Sequence, residues 1–148
     1  MEILAERARG LIALSSGHDE LVGHYLNDRN HDKAVESAKT LENIFEKGNF
    51  FLEIQDHSEP TAVDATRRIV EFSKRVEIPL VATNDVHYMH REDARAQAAL
   101  IALADGRTLG DRSQHSNDTS LRYLRSSEEM WEIFGGELPE SLTNTVKI

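Results

Sequence analysis

Val81-Ala82-Thr83-Asn84-Asp85-Val86-His87-Tyr88 is an apolar run that ends in a carboxylate and an imidazole two residues apart. Pro79 launches it, and Leu80 to Ala82 reads as a short strand. In extended backbone, residues i and i+2 project to the same face, so Asp85 and His87 can converge on one point at the strand's C-terminal end. Parallel α/β proteins and barrels build their sites there. A carboxylate oxygen and an imidazole nitrogen at that spacing suit a divalent metal such as Zn²⁺ or Mn²⁺. The plainer alternative is an Asp that caps the next helix and a His packed under a loop. The pattern alone leaves both open.

Working back from this strand, the chain alternates between helical and extended periods. Met1 to Arg9 reads as the last turns of a helix, and Leu11-Ile12-Ala13-Leu14 as a short buried strand. After the Ser15-Ser16-Gly17 turn, Asp19 to Asn27 is helical, with Leu21, Val22, Tyr25 and Leu26 on one face. From His31 to Lys47, Ala34, Val35, Ala38, Leu41, Ile44 and Phe45 recur at helical steps, and Gly48 suits a C-cap. Phe50-Phe51-Leu52-Glu53-Ile54 is a strand of β-formers, broken by Ser58-Glu59-Pro60-Thr61. An amphipathic helix follows, with Val63, Ile69, Val70, Phe72 and Val76 assigned to its buried side. Strand and helix alternating at these lengths imply βαβ units, with Leu11–Ser15, Phe50–Ile54 and Leu80–Ala82 parallel and side by side.

Beyond His90 the rhythm changes. Arg91 to Asp105 is an alanine-rich helix ended by Gly106, and Leu109 to Ser120 is a polar, turn-prone surface loop. Leu121-Arg122-Tyr123-Leu124 is extended. Ser126-Ser127-Glu128-Glu129 has the composition of a helix start and leads into Met130 to Phe134. Gly135-Gly136 ends that helix, and Pro139 opens a last one toward Ile148.

Composition excludes several classes. The 148 residues carry 39% hydrophobic and 29% charged side chains, ordinary for a globular chain with one core. No cysteine is present, which removes disulfide scaffolds and thiolate zinc sites. No apolar run reaches the roughly 18–20 residues of a membrane span, and the start lacks the basic residues of a signal peptide. A cytoplasmic location is the expectation. The net charge of −9 opposes gripping nucleic acid through its phosphates.

Five segments together resemble a known family. They are Gly10 to Ser15, Phe51-Leu52-Glu53-Ile54-Gln55-Asp56-His57, Leu80 to Tyr88, Tyr123 through Phe134, and Leu138-Pro139-Glu140-Ser141-Leu142-Thr143-Asn144-Thr145. In this order and spacing the chain is similar to the α catalytic subunit of bacterial DNA polymerase III, error-prone paralogues included. The resemblance covers essentially the whole chain. It implies an α/β fold, a partial PHP-type (TIM-like) barrel with parallel strands and outer helices. Residues 1–136 would be the later part of the PHP (polymerase and histidinol phosphatase) domain, and 137–148 the start of the helical link toward the palm.

The family's Asn-Asp-Val-His motif supplies ligands to a polynuclear metal centre, so the resemblance assigns Asp85 and His87 as metal residues for Zn²⁺, Mn²⁺ or Mg²⁺. A further family ligand, a Cys in the turn after the first strand, aligns with Gly17, which cannot ligate; His18 beside it reads as an exposed turn residue. The family's early His-x-His and Asp-His motifs have no counterpart before Leu11. His57 falls in a family motif without being a ligand position, and His24, His31, His90 and His115 read as solvated. Two ligands do not hold a catalytic zinc, which needs at least three protein groups. The carboxylates that bind Mg²⁺ for nucleotidyl transfer belong to the palm, outside this stretch.

The expectation is therefore a piece of a DNA-directed DNA polymerase, inactive alone, with no catalytic residue of its own. Its partners, other replisome subunits and primer-template DNA, would be reached through the parent protein. Asp56 and Glu53 read as a helix-cap or salt-bridge pair, and Arg67-Arg68 as a solvated helix face. Two other readings stand beside this one: a free-standing metal-dependent phosphoesterase of the PHP superfamily, and a non-catalytic scaffold module. Whether Met1 is a true start or internal is open.

Overall fold

Phe50–Gln55, in which Phe50, Phe51 and Ile54 favour extended backbone, forms the central strand of the described sheet. The computed structural model describes residues 2–16, 21–56, 60–108 and 121–148. After α1 (Glu2–Arg7) come β1 (Ala13–Leu14), α2 (Leu21–Asn27), α3 (His31–Phe45), the central strand β2, α4 (Pro60–Val76) and β3 (Leu80–Thr83). The sheet order is β1-β2-β3, and both pairings are parallel. Ala13 lies opposite Phe50, and Leu52 to Gln55 lie opposite Leu80 to Thr83. Phe50, Phe51, Leu52 and Ile54 are all buried, as expected for a parallel strand covered on both faces.

The three parallel strands are where the sequence puts them, but β1 is shorter and less covered. Leu11, Ile12 and Leu14 are 49%, 42% and 37% exposed. Among the described residues β1 pairs along one side only, and of the run 11–14 Ala13 packs against the core while its apolar neighbours stay exposed.

The helices explain themselves by spacing. The Asn30 side chain accepts a hydrogen bond from Lys33 N (3.3 Å) and opens α3. Ala34, Ala38 and Phe45 are buried along it. The helix ends at Phe45, short of Lys47, because Glu46 takes φ = 71° and Gly48 follows at φ = 94°. Along α4 the buried stripe is Ala65, Ile69, Phe72 and Val76. Val63, assigned to that side by its hydrophobicity, is 57% exposed. It stands two residues before Ala65, about 200° around the helix. Leu21 is exposed for a similar reason, since Val22 and Leu26 define the inward face of α2.

These stripes meet Phe50, Leu52, Ile54 and Ala82 in a single hydrophobic cluster. Polar groups close its edge. Lys39 Nζ donates to Val76 O (2.7 Å) at the end of α4, and Ser73 Oγ donates to Ile78 O (2.7 Å) just beyond it.

The chain divides into two compact units, residues 1–83 with 130–148, and residues 84–129. In the second, a 3₁₀ turn (Arg91–Asp93) leads into α5 (Ala94–Ala104), which buries none of its residues. Then come α6 (Ser127–Phe134) and α7 (Pro139–Thr145). Gly135 follows α6, and a Cβ there would stand 2.5 Å from the Trp131 carbonyl oxygen and ring. Phe134 and Leu142 join the core of the first unit. The Asn144 amide donates to Leu80 O (2.8 Å), which docks α7 on β3. α7 stops at Thr145 rather than continuing to Ile148.

Candidate functional site

The chain leaves β3 at Thr83, and residues 84–88 pair with residues 121–125. His87 N donates to Arg122 O (2.8 Å), Leu124 N donates to Tyr88 O (3.1 Å), and Tyr88 bridges Tyr123 in parallel. Asn84 Oδ1 accepts from Arg125 N (2.9 Å). This pairing carries the Arg122 side chain to the residues singled out by sequence.

Asp85 and His87 do converge: Asp85 Oδ1 and His87 Nε2 are 3.1 Å apart. Arg122 Nη1 donates to Asp85 Oδ2 (2.5 Å) and lies 3.2 Å from His87 Nε2. One ring nitrogen cannot donate to Asp85 and accept from Arg122 at once. With the proton on Nε2, each Asp85 oxygen receives one donor. The Asp85 carboxylate therefore caps no helix; the 3₁₀ turn at 91–93 is closed by Asp93 Oδ2, which accepts from His90 N (3.1 Å). The His87 side chain is 35% exposed.

Among the described residues, no group of three or more His, Asp or Glu is placed to hold a metal. Gly17, His18, His57 and His115 lie outside the described residues. His24, His31 and His90 are exposed, in keeping with a solvated role. Arg122 was not singled out by sequence. The one available signal was its place in a short extended segment opposite a strand end.

A second polar cluster lies at the ends of the strands in the first unit. Ser15 Oγ accepts from Glu53 N (2.9 Å), and the Glu53 carboxylate accepts from Gln55 Nε2 (3.1 Å) and from the Thr83 hydroxyl. Gln55 Nε2 also reaches Thr83 Oγ1 (3.1 Å). Glu53 is thus a buried strand residue held by neutral donors, not half of a cap or salt bridge with Asp56. Arg67 and Arg68 are solvated as expected, on Asp64 (3.1 Å) and Asn27 (3.0 Å). Beside the end of β2 a cavity of about 320 Å³ is lined by Val63, Val70, Ile133, Phe134 and Leu138, with Asp56 and Arg67 among its polar neighbours. No motif announced it, because its apolar walls come from segments some seventy residues apart.

The start of α6 is a reciprocal cap. Glu129 N donates to Ser126 Oγ (3.3 Å) and Ser126 N donates to Glu129 Oε2 (2.8 Å), as the Ser-x-x-Glu spacing allows. The Tyr123 hydroxyl donates to Glu129 Oε1. That bond holds the Glu129 carboxyl below its ordinary value, helped by the Ser126 amide, and pushes the Tyr123 hydroxyl up.

No protein-family model matches the chain. Individual proteins do. The DNA polymerase III subunit alpha of Saccharopolyspora erythraea is 35% identical over 147 residues, 99% of this chain and 12% of that protein. The protein of the same name from Treponema pallidum is 36% identical over 147 residues, again 99% of this chain and 12% of the relative. That of Pseudomonas aeruginosa is 36% identical over 143 residues, 97% and 12%. The chain thus spans about an eighth of the length of the curated relatives it matches.

Proposed function

The chain belongs to the DNA polymerase III subunit alpha family, and on that premise we propose that it is the later part of a PHP-type barrel within a DNA-directed DNA polymerase. Residues 1–136 make up that part, and residues 137–148 begin the helical link toward the palm. The parent would carry out DNA synthesis in replication or translesion repair, with Mg²⁺ held by palm carboxylates, on primer-template DNA among other replisome subunits. It would work in the cytoplasm. Among the described residues, no helix is long and apolar enough to cross a membrane.

The observation that carries this reading is the match over 99% of the chain, set on three parallel strands in register. The role of this piece is structural. Asp85 and His87 occupy two ligand positions of the family's metal site, but they form no three-ligand set among the described residues. Its net charge of −9 disfavours phosphate binding at long range.

Purified residues 1–148 should show no primer extension, no phosphate release with Mg²⁺, Mn²⁺ or Zn²⁺, and no DNA retention at physiological salt. The parent protein should extend primers with Mg²⁺. Metal-dependent phosphate release lost in Asp85→Ala would replace this reading with a free-standing phosphoesterase.

A further inference from the structure

We infer that Arg122 is a built-in cation standing where a divalent metal would sit between Asp85 and His87, so that this cluster is a metal-independent clamp. The inference rests on the reading of Asp85 and His87 as ligand positions. A zinc ion would lie roughly 2.0–2.2 Å from a carboxylate oxygen and an imidazole nitrogen. Arg122 Nη1 already stands 2.5 Å from Asp85 Oδ2 and 3.2 Å from His87 Nε2. A metal and the guanidinium would therefore compete for the same space. They also repel: like charges at contact distance in a partly shielded site cost several-fold more than in bulk water.

Arg122 is not there by a chance rotamer alone. Its carbonyl accepts from His87 N (2.8 Å), and its neighbour Tyr123 bridges Tyr88. The backbone that carries the two ligand residues is thus hydrogen-bonded to the backbone that carries the cation. The side-chain ion pair links the same two segments, with Asp85 and Arg122 31% and 23% exposed. Charge neutralisation and segment pairing come from one residue. A metal would supply only the first.

The test is Zn²⁺ titration of the 148-residue chain, followed by calorimetry, thermal melting and the His87 ring signals in NMR spectra. For the wild type, neither Zn²⁺ nor EDTA should move the melting midpoint, and the His87 signals should stay in place. Arg122→Gln removes the charge and should bind Zn²⁺ at least tenfold more tightly, a gain lost in Arg122→Gln with Asp85→Asn. Arg122→Lys keeps a cation and should behave as wild type. Zn²⁺ displacing the His87 signals of the wild type would overturn the inference while leaving the ligand-position reading intact. A folded Arg122→Gln chain with no gain would overturn both. If that variant does not fold, the wild-type spectra decide: unmoved His87 signals support the clamp, and shifted ones refute it.

Discussion

Residues 1–83 with 130–148 contain every buried hydrophobic side chain among the described residues, whereas residues 84–129 contain none. The first region joins β2, the inward stripes of α2, α3 and α4, and Leu142 of α7 in one cluster. The second is held by backbone pairing of 84–88 with 121–125, the Asp85–Arg122 ion pair and the cap at Ser126. Its helix α5 leaves Leu100 and Leu103 62% and 76% exposed. Burying one large aliphatic side chain contributes about 1.5–3 kcal/mol. A partly exposed ion pair contributes about 0–1 kcal/mol. The two regions should therefore differ in how they resist unfolding, the first as a cooperative core and the second by local opening.

The largest contrast comes from truncating one aliphatic residue in each. Ile54 is fully buried in β2, and Ile54→Ala should cost about 2–5 kcal/mol, the transfer term plus a cavity in a strand covered on both faces. Leu103→Ala should change stability by no more than about 0.5 kcal/mol. Urea unfolding curves of the two variants give the comparison directly. Losses of similar size would mean that α5 has cover the contrast denies it.

Next in size is the polar anchor of α7. Asn144 is 6% exposed and donates to Leu80 O, a carbonyl on the outer side of β3. Asn144→Ala leaves that acceptor without the donor and should cost about 1–3 kcal/mol. Thr143→Ala, one residue back on an exposed position, should cost well under that. If both changes are equally mild, α7 is a loosely held tail and the first region ends at Phe134.

How far the sequence reaches follows the same division. In the first region periodicity is physical: a stripe such as Ile69, Phe72 and Val76 is both the pattern and the core. The three strands, their parallel order and the helices between them are therefore legible in the sequence. Where periodicity fails, it fails on single apolar residues off the stripe, Val63 and Leu21, and on Leu11 and Ile12, which precede β1. Hydrophobicity says that a residue can be buried, not that a neighbour is there to bury it. In the second region the signal was chemical rather than periodic. The i, i+2 spacing foretold that Asp85 and His87 meet, because extended backbone fixes it. Arg122 was invisible, since it is 35 residues further along and arrives through backbone pairing that no local pattern encodes. The buried Glu53 escapes a local reading for a related reason: beside Gln55 on its own strand it is held by Thr83, which strand register brings opposite Gln55.

A smaller effect should appear in amide exchange. Leu52 N donates to Pro79 O inside the sheet, while His87 N donates to Arg122 O in the second region. Exchange at His87 and Leu124 should be faster than at Leu52, because local opening there exposes little apolar surface. Arg122→Ala should accelerate exchange at His87 and Leu124 further. Leu52 should be unaffected, and global stability should fall by no more than about 1 kcal/mol. Acceleration at all three positions alike would show that the two regions open together.

The smallest expected effect is the pH response of the cap at the start of α6. Glu129 is held below its ordinary value of 4.5, first by the Tyr123 hydroxyl and then by the Ser126 amide. A carboxyl with a depressed folded value stabilises the fold above the unfolded value, and that contribution is lost as pH falls through the folded value. Tyr123 is pushed above its ordinary 10.0, chiefly by the same hydrogen bond. Its contribution is complete below 10.0 and is lost as pH rises through the higher folded value. Both edges bracket the neutral range, so α6 signals should be constant from about pH 5 to 9 and move only outside it. Side-chain carbon NMR titration of Glu129 reads the acid edge. Tyr123→Phe removes the leading cause and should return the Glu129 titration toward 4.5, while Ser126→Ala should move it less. If Tyr123→Phe leaves the titration where it was, the cap alone sets it, and the segment 121–125 is tied to the second region by backbone pairing without help from Tyr123.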